Sequence, residues 1–204
     1  MENNKEIALK GIPGFADPSP VLTLIFATLC FCFWANTMGF FTDGSTLAIG
    51  VLQLGVFVSY TVGGVILLHR GNGFGGNTFM IFATVFGGIG GLTHVTMSLV
   101  PASIPFCYQI CGVAFIAAGI FLLAMLPGLM YGAKTDFLMF LFGGLGVLGY
   151  GLTGANLCPP IVNYPAAFCL LIDGLVGIYT VIATMLGFCG IPMSFGKPFF
   201  HKSK

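Results

Sequence analysis

Two side chains in the apolar interior of this sequence can hold and release a proton: Asp173 and His94. Asp173 is the only charged residue between Pro165 and Gly190. It lies at a depth where a carboxylate costs roughly 2.5–3.5 kcal/mol on membrane-insertion scales. It is either a proton-carrying site, neutral when protonated, or a carboxyl hydrogen-bonded within a helix bundle or at a subunit contact, and the residues alone leave both readings open. His94, in the long stretch between Arg70 and Lys134, is its candidate partner in a proton relay, although a lone histidine in a bundle is more often a packing residue.

Other patterns fall short of chemistry. Cys107 and Cys111 share a helix face, but they lack the histidine or carboxylate neighbours that complete a metal site, so none is expected. Gly71-Asn72-Gly73-Phe74-Gly75-Gly76 has the spacing of a dinucleotide-binding loop, yet no strand precedes it and no βαβ unit follows. It reads instead as a turn after which Asn77 or Thr78 caps a helix. Asp17-Pro18 reads in the same way, as an N-cap followed by proline at the first helical position. With no triad, P-loop or pair of hydrolytic carboxylates, the sequence offers no candidate for enzymatic chemistry and no cofactor is expected.

The elements that must position these residues are membrane spans. Of 204 residues, 57% are apolar and 6% are charged, where a soluble domain carries roughly 25% charged residues. A soluble surface cannot be covered with so little charge. A net charge of +1 also excludes the basic face that nucleic acid requires. A helix needs about 20 mostly apolar residues to cross the hydrocarbon, and the charges and prolines punctuate the chain into spans near 20–42, 46–68, 77–100, 106–131, 137–157 and 165–190. These spans make a transmembrane domain over 18–190, between an N-terminal lead, 1–17, and a C-terminal tail, 191–204. The lead is too polar for a signal-peptide core. All seven positive charges (Lys5, Lys10, Arg70, Lys134, Lys197, Lys202 and Lys204) fall on one side of this arrangement, and Asp43 is the only charge in the opposite loops. Positive residues favour cytoplasmic loops, so both termini are expected in the cytoplasm, with the chain in a plasma or inner membrane. Seven cysteines, mostly inside spans, read as small buried thiols.

The odd spans repeat a pattern. Ile25-Phe26-Ala27-Thr28 recurs as Ile81-Phe82-Ala83-Thr84, and Met139-Phe140-Leu141-Phe142 echoes both. The expected fold is therefore an all-α membrane protein of six transmembrane helices, arranged as three repeated hairpins around a central pore in each protomer. Thirty-one glycines, many in pairs, suit close helix packing. A phenylalanine from each odd helix at matched depth can form an apolar gate.

Asp17-Pro18-Ser19-Pro20-Val21 before a first helix that ends Met38-Gly39-Phe40-Phe41, with Gly76-Asn77-Thr78-Phe79 opening the third, resembles the acetate uptake transporter (succinate-acetate permease) family. Its members typically begin Asn-Pro-Ala-Pro-Leu-Gly-Leu and carry Gly-Asn-Thr-Phe at the later place. The likeness runs over nearly the whole chain, through Gly177-Ile178-Tyr179 and Gly190-Ile191-Pro192. It implies a hexamer of six-helix protomers, each with its own pore narrowed by apolar side chains of the first, third and fifth helices. Carried over position by position, the constriction is Phe26, Phe86 and, flanking the aligned Gly143, Leu141 or Leu145; the small residue close to the pore is Gly177. Three positions depart from the family pattern: Asp17 replaces the leading asparagine, Asn36-Thr37 replaces a His-Asn pair, and Asp173 stands where the family is usually uncharged.

The expected function is transport of small carboxylates such as acetate and succinate, as a proton-coupled symporter or an anion channel. Thr28, Asn36, Asn77 and Thr84 would steer the substrate, and helix N-termini would add typically 0.3–1 kcal/mol each for an anion. A pore for neutral or ammonia-like solutes is the alternative, and a non-transporting scaffold ranks last.

Overall fold

The computed structural model describes residues 16–200. Most of the expected lead and the last four residues, with Lys5, Lys10, Lys202 and Lys204, lie outside them. Six helices are long and apolar enough to cross a membrane: α1 (Ser19–Thr37), α2 (Ser45–His69), α3 (Gly73–Leu99), α4 (Gln109–Leu129), α5 (Lys134–Gly154) and α6 (Pro160–Phe188). The fold is all-α, and no strand occurs among the described residues. The chain is thus a multi-pass membrane protein.

The helix starts follow from local polar chemistry. The Asp17 carboxylate accepts from the backbone N–H and the hydroxyl of Ser19, at 2.9 and 2.7 Å, but the N-cap position falls on Pro18 rather than on Asp17, so α1 starts at Ser19, one residue later than the sequence suggests. The cap of α3 differs from expectation. Asn72, not Asn77 or Thr78, accepts from the N–H of Gly75 at 2.9 Å. The glycines after Asn72 have no side chain to interrupt the turn, so the helix starts at Gly73 and takes in both expected caps. Asn77 and Thr78 instead bond back to the carbonyls of Gly73 and Phe74.

Each helix packs against its neighbours in chain order, and α6 closes back on α1, so the six form a ring about an axis. The tightest pairs include α2 with α3, α4 with α5, and α6 with α1, whereas the hairpin mates α1 and α2, and α3 and α4, touch far less. Glycine makes the tight crossings. A Cβ on Gly112 of α4 would lie 2.2 Å from the backbone N of Ala155, and one on Gly87 of α3 would lie 2.5 Å from the Cα of Phe57 on α2. Most glycines thus serve packing within the protomer.

One segment departs from regular geometry. Within α3, Ala83–Gly90 winds as a π-helix before the α-helix resumes at Gly91. Such wide turns are rare and concentrate at functional sites. Here the turn carries Phe86.

Candidate functional site

Side chains spaced three or four apart share a helix face. Along α1 that spacing puts Thr23, Phe26, Cys30 and Phe33 on one stripe, and along α5 it puts Met139, Gly143, Val147 and Tyr150 on another. Both stripes, with the Phe79–Phe82–Phe86 stripe of α3, face the axis of the ring and line three cavities in series.

The first cavity, about 440 Å³, opens at the end of the bundle that carries Arg70, Lys134 and Lys197; Asp17, Thr23, Asp136 and Thr184 are among its walls and Phe26 is at its floor. The second, about 30 Å³, has wholly apolar accessible walls and lies between Phe26 and Phe86 on one side and Phe33, Phe115 and Tyr150 on the other. The third, about 320 Å³, shares Phe33, Phe115 and Tyr150 with the second and is walled by Thr46, His94 and Asn163. Phe26 stacks on Phe82, with centroids 5.3 Å apart, and lies 6.4 Å from Phe86. Phe86 in turn lies 4.9 Å from Phe82 and 5.4 Å from Phe115. These rings close the axis between the two large cavities.

Asp173 sits beside this closure. It is fully buried, its Oδ2 accepts from the Cys30 thiol at 3.6 Å, and its Oδ1 has no hydrogen-bond partner among the described residues. Its neighbour on α5 is Gly143, at the place where the resemblance implies a leucine. A Cβ there would meet Asp173 Oδ2 at 2.5 Å and the Phe26 ring at 3.5 Å. The room that a leucine would fill is thus taken up by a carboxyl group from α6.

His94 is elsewhere. Its Nδ1 stands 2.6 Å from Gln53 Oε1, its ring lies 6.0 Å from Phe33, and it faces the third cavity. The structure therefore does not pair His94 with Asp173: Asp173 is buried against Cys30, whereas His94 bonds to Gln53 and faces the third cavity, whose walls do not include Asp173.

The other expected site residues divide. Phe26 and Phe86 meet at the axis, and Leu141 is half-buried. Leu145 is 42% exposed on the outer face of the protomer. Thr28 and Thr84 are exposed on outer faces, where their hydroxyls bond to the carbonyls of Leu24 and Met80. Asn77 is exposed and bonded to its own helix. Asn36 accepts from Ser45 at 2.7 Å and ties α1 to the start of α2. Gly177 is buried, but it serves the crossing of α6 with α1, since its Cβ would lie 3.2 Å from that of Ala27. Cys107 is exposed, and no cluster of metal-binding side chains occurs among the described residues.

Sequence reasoning passed over Gln53, which is fully buried and donates to the Phe86 carbonyl at 2.8 Å. The signal was there: it is the only side-chain amide in a mostly apolar 25-residue helix, and a polar group in lipid needs an internal partner.

No family model matches the sequence, and no curated protein matches it. Among solved structures, that of the bacterial acetate channel SatP is similar: the match covers 92% of this chain and 98% of that one, with a TM-score of 0.68 and 20% sequence identity. At that identity the likeness is one of fold, and it agrees with the family resemblance carried by the proline motif and Gly76–Phe79: this chain has the six-helix fold of a membrane channel.

Proposed function

We propose that this protein carries acetate and similar small carboxylates across a membrane, along the axis of each protomer. The observation that supports this most directly is the series of three cavities closed by Phe26, Phe82 and Phe86. The fold shared with an acetate channel agrees with it. An apolar closure with no fixed cation passes a carboxylate most easily when its charge is shared with a proton, because a bare anion leaves water at a cost of many kcal/mol. Asp173, beside the closure, is the group that would couple that proton to transport.

The protomer would assemble as a hexamer in a plasma or inner membrane, with both termini cytoplasmic as the one-sided lysines and arginine favour. Reporter fusions at the C-terminus test the orientation. The transport reading is tested by radiolabelled acetate flux into proteoliposomes, with empty liposomes as the blank for acetic-acid leakage. Phe26→Trp should reduce protein-dependent flux at least tenfold by filling the closure, a loss of about 1.4 kcal/mol or more. The absence of any protein-dependent acetate flux in the intact protein would overturn it.

The small second cavity favours a rival. At about 30 Å³ and apolar throughout, it suits a neutral or ammonia-like solute. Methylamine flux that acetate fails to inhibit would put that reading first.

A further inference from the structure

The third cavity holds a polar arrangement that passage through the aromatic closure does not explain. The Gln53 amide group is fixed at both ends: its Nε2 donates to the Phe86 carbonyl at 2.8 Å, so its Oε1, 2.6 Å from His94 Nδ1, is left as an acceptor. Nδ1 must then carry the hydrogen. In the neutral ring this makes Nε2 the acceptor, and the ring's hydrogen bond among the described residues is the one made by Nδ1. The ring forms part of the cavity wall, as does Asn163, whose Oδ1 accepts from Thr153 at 2.5 Å and leaves its Nδ2 hydrogens for another acceptor.

We propose that His94 Nε2 forms a binding subsite in the third cavity where a small carboxylate is held together with one proton. A protonated acid donates its O–H to Nε2. If the proton crosses, the O–H bond breaks, the N–H bond forms, and an imidazolium–carboxylate pair remains. Either way the complex contains one carboxylate and one proton more than the empty site. Gln53 is a positioning residue, since it fixes which nitrogen is offered to the ligand. Around the ring, Tyr108 stands just before α4, α4 contributes Cys111 and α5 contributes Tyr150, while α1, α2 and α6 contribute Phe33, Thr46 and Asn163. None is a carboxylate or an ammonium group, so no fixed charge competes with the ligand. The first cavity, by contrast, has Asp17 and Asp136 in its walls, which repel an anion, so carboxylates load at the His94 end.

This inference rests on the carboxylate reading above. It is tested by calorimetric titration of acetate into the purified protein in two buffers of different ionisation enthalpy. The intact protein should take up close to one proton per acetate. His94→Gln should bind acetate at least about tenfold more weakly, the scale of one charge-assisted hydrogen bond, with no proton uptake. In the intact protein labelled with ¹⁵N-histidine, one ring should show its Nε2 resonance alone moving on acetate addition, a readout that does not depend on the variant folding. Unchanged affinity and proton uptake in a folded His94→Gln, or no histidine shift in the intact protein, would overturn the subsite while acetate flux left the transport reading standing. Absence of both acetate binding and acetate flux in the intact protein would overturn both.

Discussion

Gly143 of α5 and Asp173 of α6 occupy one place between them. A side chain on the first would lie 2.5 Å from Oδ2 of the second, so the carboxyl can face the aromatic closure only because residue 143 has no Cβ. Gly143→Ala should therefore destabilise the protein by about 1–3 kcal/mol, the usual range for forcing an extra carbon into a packed interior. In an Asp173→Ala background the clash is gone, and the same substitution should cost at least about 0.5 kcal/mol less. Thermal unfolding of the four proteins gives the coupling directly.

Replacing the carboxyl isosterically separates two modes of transport. Asp173→Asn keeps the size of the side chain and removes its ionisation, so acetate exchange between equal concentrations should survive. Accumulation driven by an inward proton gradient should fall to the level of passive acetic-acid leakage. Parallel counterflow and gradient-driven uptake assays in proteoliposomes check this, and undiminished gradient-driven uptake at every pH would remove Asp173 from coupling.

The ring of Phe26 also sets the width of the pathway, since it forms both the floor of the first cavity and the roof of the second. Phe26→Ala should join these cavities and raise the flux of succinate relative to acetate. Because the ring also stacks on Phe82, the substitution should cost up to about 3–5 kcal/mol of stability. The flux ratio of the two acids, measured in one preparation, is independent of how much protein survives reconstitution.

The six spans and their order were legible in the sequence because charge and proline mark the span ends. The Phe repeat marked Phe26 and Phe82, which both lie in the closure, but its third member, Phe140 of α5, lies beside the first cavity, stacked on Phe74, and Phe86 was pointed to by the family resemblance rather than by the repeat. The polar residues of the pathway were misplaced for a reason that the sequence also contains. Thr28 is two residues from Phe26, and Thr84 is two from Phe86. Residues two apart on a helix do not share a face, so placing the phenylalanines on the axis sends those threonines outward. The same step separates Leu145 from Gly143. The offset of Asn72 was hidden by treating a glycine-rich turn as non-helical. Gln53 and Asp173 could be recognised as polar groups in lipid, but their partners, the Phe86 carbonyl and the Cys30 thiol, come from other helices and depend on the π-helical segment and on a crossing that no local pattern encodes.

The close crossings that hold the ring together make a prediction that depends on depth of contact rather than on residue type. Gly112 and Gly55 are both helical glycines, and by intrinsic propensity alanine should favour either helix by roughly 0.5–1 kcal/mol. At Gly55 a Cβ would meet nothing within 4 Å, whereas at Gly112 it would lie 2.2 Å from the Ala155 nitrogen and 2.4 Å from the Gly154 carbonyl carbon. Backbone cannot move aside as a flexible side chain can. Gly55→Ala should therefore leave the midpoint of thermal unfolding unchanged or slightly raised. Gly112→Ala must push α4 away from α5, and should lower the midpoint and with it the yield of folded protein. The same displacement moves Phe115, one turn along α4 and part of the wall between the second and third cavities. Acetate flux per folded molecule should then change in Gly112→Ala and not in Gly55→Ala. Equal behaviour of the two variants would show that the α4–α5 crossing has room that the structure denies.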